Sequence, residues 1–461
     1  MKTICRYIVV STILIPCFAY TQTITGGGNQ SLAVCGNNTV QGWGYDLDGE
    51  LGNSTNISSS IPVQMSTLTG IIAISSGANH TLALKNDGTV WACGKNNWGQ
   101  LGNGNNTNSN VPVQVSGLTG ITAISTADGH STALKNDGTV WNWGYNNLGQ
   151  LGTGNYLNSN VPVQVNGLTG IVAIAIGGSQ SHALKMDGTV WSWGSGTSGE
   201  IGNGFNSNQT TPVQASTPSG IIAISAGNAH FLALRNDSTI WACGNNSFGQ
   251  LGDGTTTNTN VPVQISSLTS VYSISSGMYH SIALKNNGTV WAWGYNFYGQ
   301  LGNGNNTNSH VPLQTSSINS VTSIEAGYYF NIAMKSDSTV WAWGHNGYGQ
   351  LGNGTTTNSN VPIQVNGLCT ALPTKVDEIE NQSSISISPN PSTGKFNLTS
   401  AGANFENGKV EIFNSIGEMV FSSFMENSNT EIDLSNQQNG IYFITIKSGA
   451  EFLTQKIIID K

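Results

Sequence analysis

A repeat of fifty residues runs through most of the chain. Tryptophan recurs at this interval at Trp91, Trp141, Trp191, Trp241, Trp291 and Trp341. In the same register, a Gly-Gln-Leu-Gly step begins at Gly99, Gly149, Gly249, Gly299 and Gly349, and a proline recurs from Pro62 to Pro362. A fixed period of this length is typical of stacked or circular copies of one supersecondary unit. The chain holds seven copies, and the strict register leaves no room for an insertion in any of them.

One copy, residues 71–120, predicts four short antiparallel strands. Apolar or β-branched runs cover Ile71–Ser76, Thr81–Leu84, Thr89–Gly94 and Val111–Val115. Between the second and third runs, Asn-Asp-Gly at residues 86–88 is a strong hairpin signal, because these residue types tolerate positive φ angles. No helical periodicity appears in the unit. We therefore predict an all-β fold.

Seven such units favour a closed ring of blades, because an open stack would need polar capping copies at its ends. We predict a seven-bladed β-propeller over residues 20–369. A ring would bring its first and last copies together, and Cys35 and Cys369 lie in those regions. A disulfide between them is conceivable outside the cytoplasm, but sequence spacing leaves it open. Cys93 and Cys243 occupy tryptophan positions three copies apart and are expected to be buried, unpaired thiols.

The repeated motif carries a family resemblance. It reads His80-x-x-Ala83-Leu84-Lys85-x-Asp87-Gly88-Thr89-Val90-Trp91-x-x-Gly94, followed by Asn97-x-Gly99-Gln100-Leu101-Gly102. This string resembles the regulator of chromosome condensation repeat, and the resemblance covers roughly residues 21–370. It implies a seven-bladed propeller. The founding member of that family is an exchange factor for a small GTPase that depends on an inserted wedge, which the strict register here lacks. No exchange residues are therefore carried over.

A different module follows residue 369. We predict a linker over residues 370–384 and a small β-sandwich over residues 385–461, with strands at Ser384–Ile387, Lys409–Phe413, Met419–Ser423, Ile441–Lys447 and Leu453–Ile459. The tail is similar to the C-terminal sorting domain of the type IX secretion system. The residues that carry this resemblance are Pro389-Asn390-Pro391, Gly394, Phe396, Asn439-Gly440-Ile441-Tyr442 and Lys456-Ile457-Ile458-Ile459. It implies passage through the outer membrane and contact with that machinery. A plain adhesion sandwich is the alternative.

The N-terminus has the pattern of an export signal over residues 1–19. Lys2 and Arg6 precede the apolar run Tyr7–Ile15, and Ala19 stands at cleavage spacing after Cys17. A lipoprotein anchor at Cys17 is the alternative. No segment is long and apolar enough to span a bilayer. We expect a protein that is secreted or displayed on the outer-membrane surface, and the sequence leaves open whether it is released or attached.

Charge argues against nucleic-acid binding. The net charge is −8, and only 8% of residues are charged. Binding to phosphate backbones needs clustered positive charge, whereas the basic residues here occur about once per copy, each beside a turn. We expect no nucleic-acid partner.

The sequence shows no convincing catalytic or metal-binding constellation. His80, His130, His230 and His280 share one position of the repeat, but Gln180 fills it in another copy, as a structural role allows. Residues 46–50 resemble the start of a calcium loop only weakly, because the glutamate that should end such a loop is missing. We expect no catalytic residues, no metal and no cofactor.

Aromatic residues cluster in the loops of the sixth and seventh copies. The first-to-second and third-to-fourth strand loops of a blade emerge on the same face, so residues from both can form one surface. The candidate binding residues are Met278, Tyr279, Tyr298, Tyr328, Tyr329, Phe330 and Tyr348. The alternative is that these side chains only pack the loops, since Trp98 and Phe248 stand at the Tyr298 and Tyr348 position in other copies.

These observations predict a monomeric, non-catalytic propeller that binds an extracellular protein or glycan through one loop face. One alternative is an exported enzyme acting on polysaccharide, which would need two facing carboxylates; the unusual carboxylates near that face are Asp46, Asp128 and Glu325. A second alternative, an exchange-factor-like regulator, rests on family analogy alone.

Overall fold

The structure is a computed structural model that describes two separate units. It covers residues 24–369 except 67 and 266, and residues 384–461 except 402–407, 415–418, 426–428 and 449–450. The two units divide between Cys369 and Thr370. Every regular element in these ranges is a β-strand. The predicted export signal and all but the last residue of the predicted linker lie outside the described residues.

The first unit contains seven four-stranded antiparallel sheets. The first four sheets comprise β1 (Ile24–Gly26), β2 (Gln30–Val34), β3 (Val40–Gly44) and β4 (Ser59–Gln64); β5 (Ile71–Ser76), β6 (His80–Lys85), β7 (Val90–Gly94) and β8 (Ser109–Gln114); β9 (Ile121–Thr126), β10 (His130–Lys135), β11 (Val140–Gly144) and β12 (Ser159–Gln164); and β13 (Ile171–Ile176), β14 (Gln180–Lys185), β15 (Val190–Gly194) and β16 (Gln209–Gln214). The last three comprise β17 (Ile221–Ala226), β18 (His230–Arg235), β19 (Ile240–Gly244) and β20 (Thr259–Ile265); β21 (Val271–Ser276), β22 (His280–Lys285), β23 (Val290–Gly294) and β24 (Ser309–Gln314); and β25 (Val321–Ala326), β26 (Phe330–Lys335), β27 (Val340–Gly344) and β28 (Ser359–Gln364).

The sheets are blades of a closed ring. In each blade the strands pair in chain order, so the first and fourth strands are its edges. The first strands of successive blades contact one another all the way round, from β1 to β5 and finally from β25 back to β1. They therefore surround the central axis, and the fourth strands form the outer rim. The predicted seven-bladed propeller is confirmed.

Bonds between neighbouring blades show that the closing interface matches internal ones. The indole Nε1 of Trp143 donates to the backbone oxygen of Gln100 in the preceding blade at 2.8 Å. At the junction of the last and first blades, Trp43 Nε1 donates to Gln350 O at 2.9 Å, and Ser31 Oγ donates to the same oxygen at 2.9 Å. A disulfide between Cys35 and Cys369, with the Cα atoms 5.3 Å apart, adds a covalent closure.

Cys93 and Cys243 are free and fully buried, as the sequence predicted. Each replaces the tryptophan that donates across other interfaces, so each leaves volume to fill. Near Cys93, the larger Met65 stands where other copies carry smaller residues such as Val115. Near Cys243, the buried Phe231 stands at a position held by serine in most copies. The exchanges keep both interfaces packed.

The Lys-x-Asp-Gly-Thr-Val-Trp motif builds the hairpin between the second and third strands. Asp87 Oδ1 accepts from the Thr89 backbone at 2.9 Å and from its hydroxyl at 2.6 Å, and Gly88 adopts a φ of +78°. Lys85 lies 3.5 Å from Asp87 and 5.9 Å from the centroid of the Trp91 ring. The repeated lysines are thus engaged within their own turns.

The second unit is a β-sandwich of two sheets, ordered β29-β30-β33 and β32-β31-β34-β35. Its strands are β29 (Ser384–Ser388), β30 (Lys395–Ala401), β31 (Lys409–Asn414), β32 (Met419–Phe424), β33 (Asn429–Asp433), β34 (Gly440–Ser448) and β35 (Glu451–Ile459). One shared core includes Phe396 and Ile432 from the first sheet and Ile412 and Ile444 from the second. The sandwich is confirmed, but β30 and β33 were not predicted from the sequence.

Candidate functional site

Two sets of loops form one face of the propeller. The loop between the first and second strands carries residues 277–279 in blade six and 327–329 in blade seven. The loop between the third and fourth strands carries residues 295–308 and 345–358 in the same blades. Because the strands are antiparallel, both loops leave a blade at the same end, and side chains from both can meet.

Aromatic side chains on this face form one connected network, which we call the aromatic track. It consists of Phe248, Tyr279, Tyr295, Phe297, Tyr298, Tyr329, His345, Tyr348 and Tyr45. Ring centroids along its spine lie 4.8 Å apart for Phe248 and Tyr295, 5.9 Å for Tyr295 and Tyr329, 5.4 Å for Tyr329 and Tyr298, 4.6 Å for Tyr298 and His345, 6.2 Å for His345 and Tyr348, and 5.0 Å for Tyr348 and Tyr45. The track therefore crosses blades five, six, seven and one.

The structure brings four of the seven candidate residues into this track: Tyr279, Tyr298, Tyr329 and Tyr348. Tyr348 is 43% exposed, and the other three are half-buried between neighbouring rings. These side chains therefore pack against neighbouring rings and still expose part of their surface to solvent. Their role in binding remains a prediction.

The other three candidates lie elsewhere. Phe330 is fully buried at the start of β26, against the backbone of Gly327, so its side chain cannot contact a ligand. Met278 and Tyr328 are half-buried beside the axis. Tyr328 contacts Tyr329, with ring centroids 6.4 Å apart, so it lies next to the inner end of the track.

Five members of the track were not among the candidates named from the sequence: Phe248, Tyr295, Phe297, His345 and Tyr45. Phe297 is the most exposed of the set, at 62%. It lies edge-on to Tyr298 at 5.1 Å and nearly parallel to Tyr295 at 6.4 Å. A comparison of equivalent positions would have found it, since other copies carry asparagine, serine, threonine, glycine or leucine at the Phe297 position.

The track is electrically neutral at its centre. Burial lowers the pKa of His345, whose Nδ1 accepts a hydrogen bond of 2.7 Å from Gln350 Nε2. The ring is therefore uncharged, with its proton on Nε2. Burial, followed by the neighbouring phenols, raises the pKa of Tyr329 to about 12, and burial also raises the pKa of Tyr295. These phenols keep their protons at physiological pH.

A polar contact crosses the axis beside the track. The Tyr328 hydroxyl of blade seven donates to the carboxylate of Asp128 in blade three. Burial raises the pKa of both groups. They line a partly open pocket at the axis whose wall is otherwise mostly glycine, alanine and short polar residues. The bond ties opposite sides of the ring at the mouth of the channel.

Each of the three unusual carboxylates accepts a hydrogen bond. Asp46 is fully buried and accepts from the backbone of Leu51 at 2.9 Å, with a pKa raised by burial to about 6. Glu325, on β25, accepts from Ser275 Oγ at 3.2 Å. Together with Asp128, these residues occupy blades one, seven and three.

The repeated histidines are buried parts of the blade interfaces. Ser131 Oγ donates to Gln100 O at 2.9 Å, so the hydroxyl accepts from His80 Nε2 at 2.8 Å. Burial lowers the pKa of His80 to about 3. Across the described ranges, no group of three or more His, Cys, Asp or Glu side chains is placed to hold a metal ion.

The fold and the track define a closed propeller that presents an aromatic loop face. The profile of the RCC1-like domain matches residues 157–405, and profiles of the regulator of chromosome condensation (RCC1) repeat match residues 37–84, 87–134 and 71–100. The chain belongs to this RCC1-like family.

Solved structures share the propeller fold. Human WBSCR16 has 25% identity and a TM-score of 0.64, over 70% of this chain and 92% of the other. A chain in the structure of Kap60 bound to yeast RCC1 (Prp20) has 21% identity and a TM-score of 0.66, over 80% and 92%. Prp20p from Saccharomyces cerevisiae, which is described with its binding to Gsp1p and histones, has 22% identity and a TM-score of 0.64, over 76% of this chain and 87% of the other. No curated protein matches the chain.

The tail identifies the route of export. The profile of the secretion system C-terminal sorting domain matches residues 386–460. The protein is thus an exported propeller, secreted or displayed at the cell surface, and its tail implies contact with the type IX machinery. In the parts of the chain that the structure describes, no helix is long and apolar enough to cross a membrane.

Proposed function

We propose that the propeller is a non-catalytic binding protein that captures an extracellular ligand, a protein or a glycan, on its aromatic loop face. The observation that carries this proposal is the aromatic track itself. Phe297 and Tyr348 expose 62% and 43% of their surface, and they belong to a set of rings that continues across four blades. Connected exposed aromatic surface is typical of interaction sites.

The rigid ring supports this role. The loops stand on strands that are tied to the next blade by buried bonds, such as Trp143 to Gln100. Side chains held in this way lose little conformational entropy on binding, so more of the contact energy remains for affinity. Proteins that share the fold bind other proteins, as yeast RCC1 (Prp20) does with Kap60, and this supports a ligand-presenting scaffold.

The test compares binding by the full chain and by a track variant. Phe297→Ala/Tyr348→Ala removes the two most exposed rings, and Trp98→Ala/Tyr145→Ala is a matched control. The control pair lies in the equivalent loops of blades two and three, with ring centroids 4.8 Å apart. We expect the track variant to lose binding to arrayed glycans or purified extracellular proteins, while the control binds as the wild type does.

Two kinds of result would contradict the proposal. Unchanged binding by the track variant, or equal loss of binding in both variants, would show that the track has no special role. Release of new reducing ends from any polysaccharide by the wild-type chain would replace binding with catalysis as the function.

A further inference from the structure

We propose that the ligand of the aromatic track is an uncharged oligosaccharide chain several sugars long. This inference rests on the binding role proposed above and adds the chemical class of the ligand. Three features of the track carry it: unpartnered phenol groups, the absence of charge in the loops of blades six and seven, and the length of the connected rings.

The phenol groups are the first feature. Tyr279, Tyr295, Tyr298, Tyr329 and Tyr348 all lie in the track, and within the described residues none of their hydroxyls has a hydrogen-bond partner. The neighbouring Tyr328 differs, because its hydroxyl donates to Asp128. Each free phenol can donate one hydrogen bond and accept others. The track therefore offers a row of neutral polar groups beside apolar ring faces.

The absence of charge is the second feature. Residues 277–279, 295–308, 327–329 and 345–358 form the loops of blades six and seven on this face, and they contain no Asp, Glu, Lys or Arg. His345, the one titratable base among them, is held neutral by its burial and accepts a bond from Gln350. Protein interfaces are enriched in arginine as well as aromatic residues. The part of the track in blades six and seven, with aromatic rings but no cation or anion in its loops, complements a neutral ligand better than a charged one.

Length is the third feature. The track runs from Phe248 in blade five to Tyr45 in blade one, with successive ring centroids 4.6–6.2 Å apart. A single sugar would cover only one or two of these rings. Sugar rings have apolar C–H faces and polar rims, so a chain of them can pack on the aromatic faces while its hydroxyl groups bond to the phenols.

The experiment measures binding of linear oligosaccharides to the full chain by calorimetry. The probes are neutral glucose- and mannose-based hexasaccharides, and hexamers of uronic acid serve as the charged arm. The key variant is Tyr295→Phe/Tyr298→Phe/Tyr329→Phe, which keeps every ring and removes only three hydroxyls. We expect the wild type to bind at least one neutral hexamer more tightly than the uronic-acid hexamers. The variant should bind that hexamer more weakly, by about two- to tenfold for each hydroxyl used.

The outcomes separate this inference from the proposed function. If no neutral hexamer binds the wild type, or if the uronic-acid hexamers bind more tightly, the inference is wrong. Should a protein ligand bind instead, and lose binding in Phe297→Ala/Tyr348→Ala, the proposed function stands and only the ligand class fails. If the neutral hexamer binds the Phe variant and Phe297→Ala/Tyr348→Ala as it binds the wild type, both proposals fail. A change in Trp98→Ala/Tyr145→Ala equal to that in the track variants would count against both.

Discussion

We predict that Glu50→Gln stabilises the propeller at alkaline pH but not in acid. Glu50 is fully buried, and its position is held by glutamine in five other blades, at Gln100, Gln150, Gln250, Gln300 and Gln350. Burial raises its pKa from 4.5 to about 7. Its Oε2 accepts from the Asp48 backbone at 3.0 Å, and its Oε1 accepts from Asn79 Nδ2 at 3.2 Å.

The raised pKa gives the sign and the size of the effect. Between pH 4.5 and about 7 the folded state holds a proton on Glu50 that the unfolded state has lost, so the free energy of unfolding falls as pH rises through this window. Since one pKa unit corresponds to about 1.4 kcal/mol, the charged carboxylate costs the folded protein about 3 kcal/mol at pH 8. Near pH 4.5 the cost shrinks to about 0.4 kcal/mol.

The amide should avoid this cost without losing the local bonds. At the equivalent position, Gln100 Oε1 accepts from the Trp98 backbone at 3.0 Å, so the amide oxygen of the Glu50→Gln variant can keep the bond from Asp48. The new NH₂ group would then face Asn79, whose own amide can turn to present oxygen. The substitution therefore removes a buried charge and little else.

The assay is denaturant unfolding of the full chain at pH 8 and pH 4.5. We expect a gain of about 2–3 kcal/mol at pH 8 and almost none at pH 4.5. Gln100→Glu is the reverse control and should destabilise chiefly at pH 8. A gain of equal size at both pH values, or a loss at pH 8, would refute the reasoning, because it would mean that burial of charge is not what limits Glu50.

Three further predictions follow from other contacts. Cys35→Ser opens a loop that spans 334 residues, and the entropy of this loop lowers the stability by up to about 6 kcal/mol. We expect a lower melting temperature for the variant. Reductant should lower the melting temperature of the wild type in the same way and leave that of the variant unchanged. Burial lowers the pKa of His130 to about 3, so protonation of this residue in the unfolded chain below pH 6.5 lowers the free energy of unfolding. His130→Gln removes this pH dependence. Between pH 8 and pH 5, the free energy of unfolding of the variant should therefore fall by about 2 kcal/mol less than that of the wild type. Tyr328→Phe leaves Asp128 without its donor and should cost about 1–3 kcal/mol, and adding Asp128→Asn should restore part of this loss in denaturant titrations.

The repeat made the propeller predictable almost to the residue. Ile71–Ser76 was predicted with the bounds of β5, and the predicted ends of β6–β8 differ from the observed ends by at most two residues. Seven aligned copies repeat each strand signal, which removes the ambiguity of a short apolar run. The tail has no such redundancy. Among the side chains that the structure describes, only Phe396 and Leu398 in β30, and Ile432 in β33, enter the core, so these strands carry too short an alternation to be recognised alone.

The candidate site was only partly predictable. Aromatic residues in neighbouring loops suggested Tyr279, Tyr298, Tyr329 and Tyr348, and the structure brings them together because the two loop sets share a face. Phe330 was misplaced for a physical reason: it occupies the buried position of His80, and no equivalent side chain reaches the surface. The ring contacts themselves depend on side-chain directions that sequence alone does not supply.

Some differences between copies involve several positions at once, whereas others involve a single position. At two interfaces three positions change together: Gln30, Glu50 and Cys93 in one, and Gln180, Glu200 and Cys243 in the other, where most other interfaces use His, Gln and Trp. The two glutamines donate to backbone oxygens of the next blade, at 3.0 Å and 2.9 Å, instead of to a side chain.

Such joint exchange is what packing demands, because a buried donor and the volume beside it must change together. Phe297 lies at an exposed position that varies from copy to copy, and it is the only aromatic residue among its equivalents. A residue that varies without compensation is not explained by the interior. For this reason the solitary aromatic differences, and not the concerted ones, direct the search for a ligand to the loops of blades six and seven.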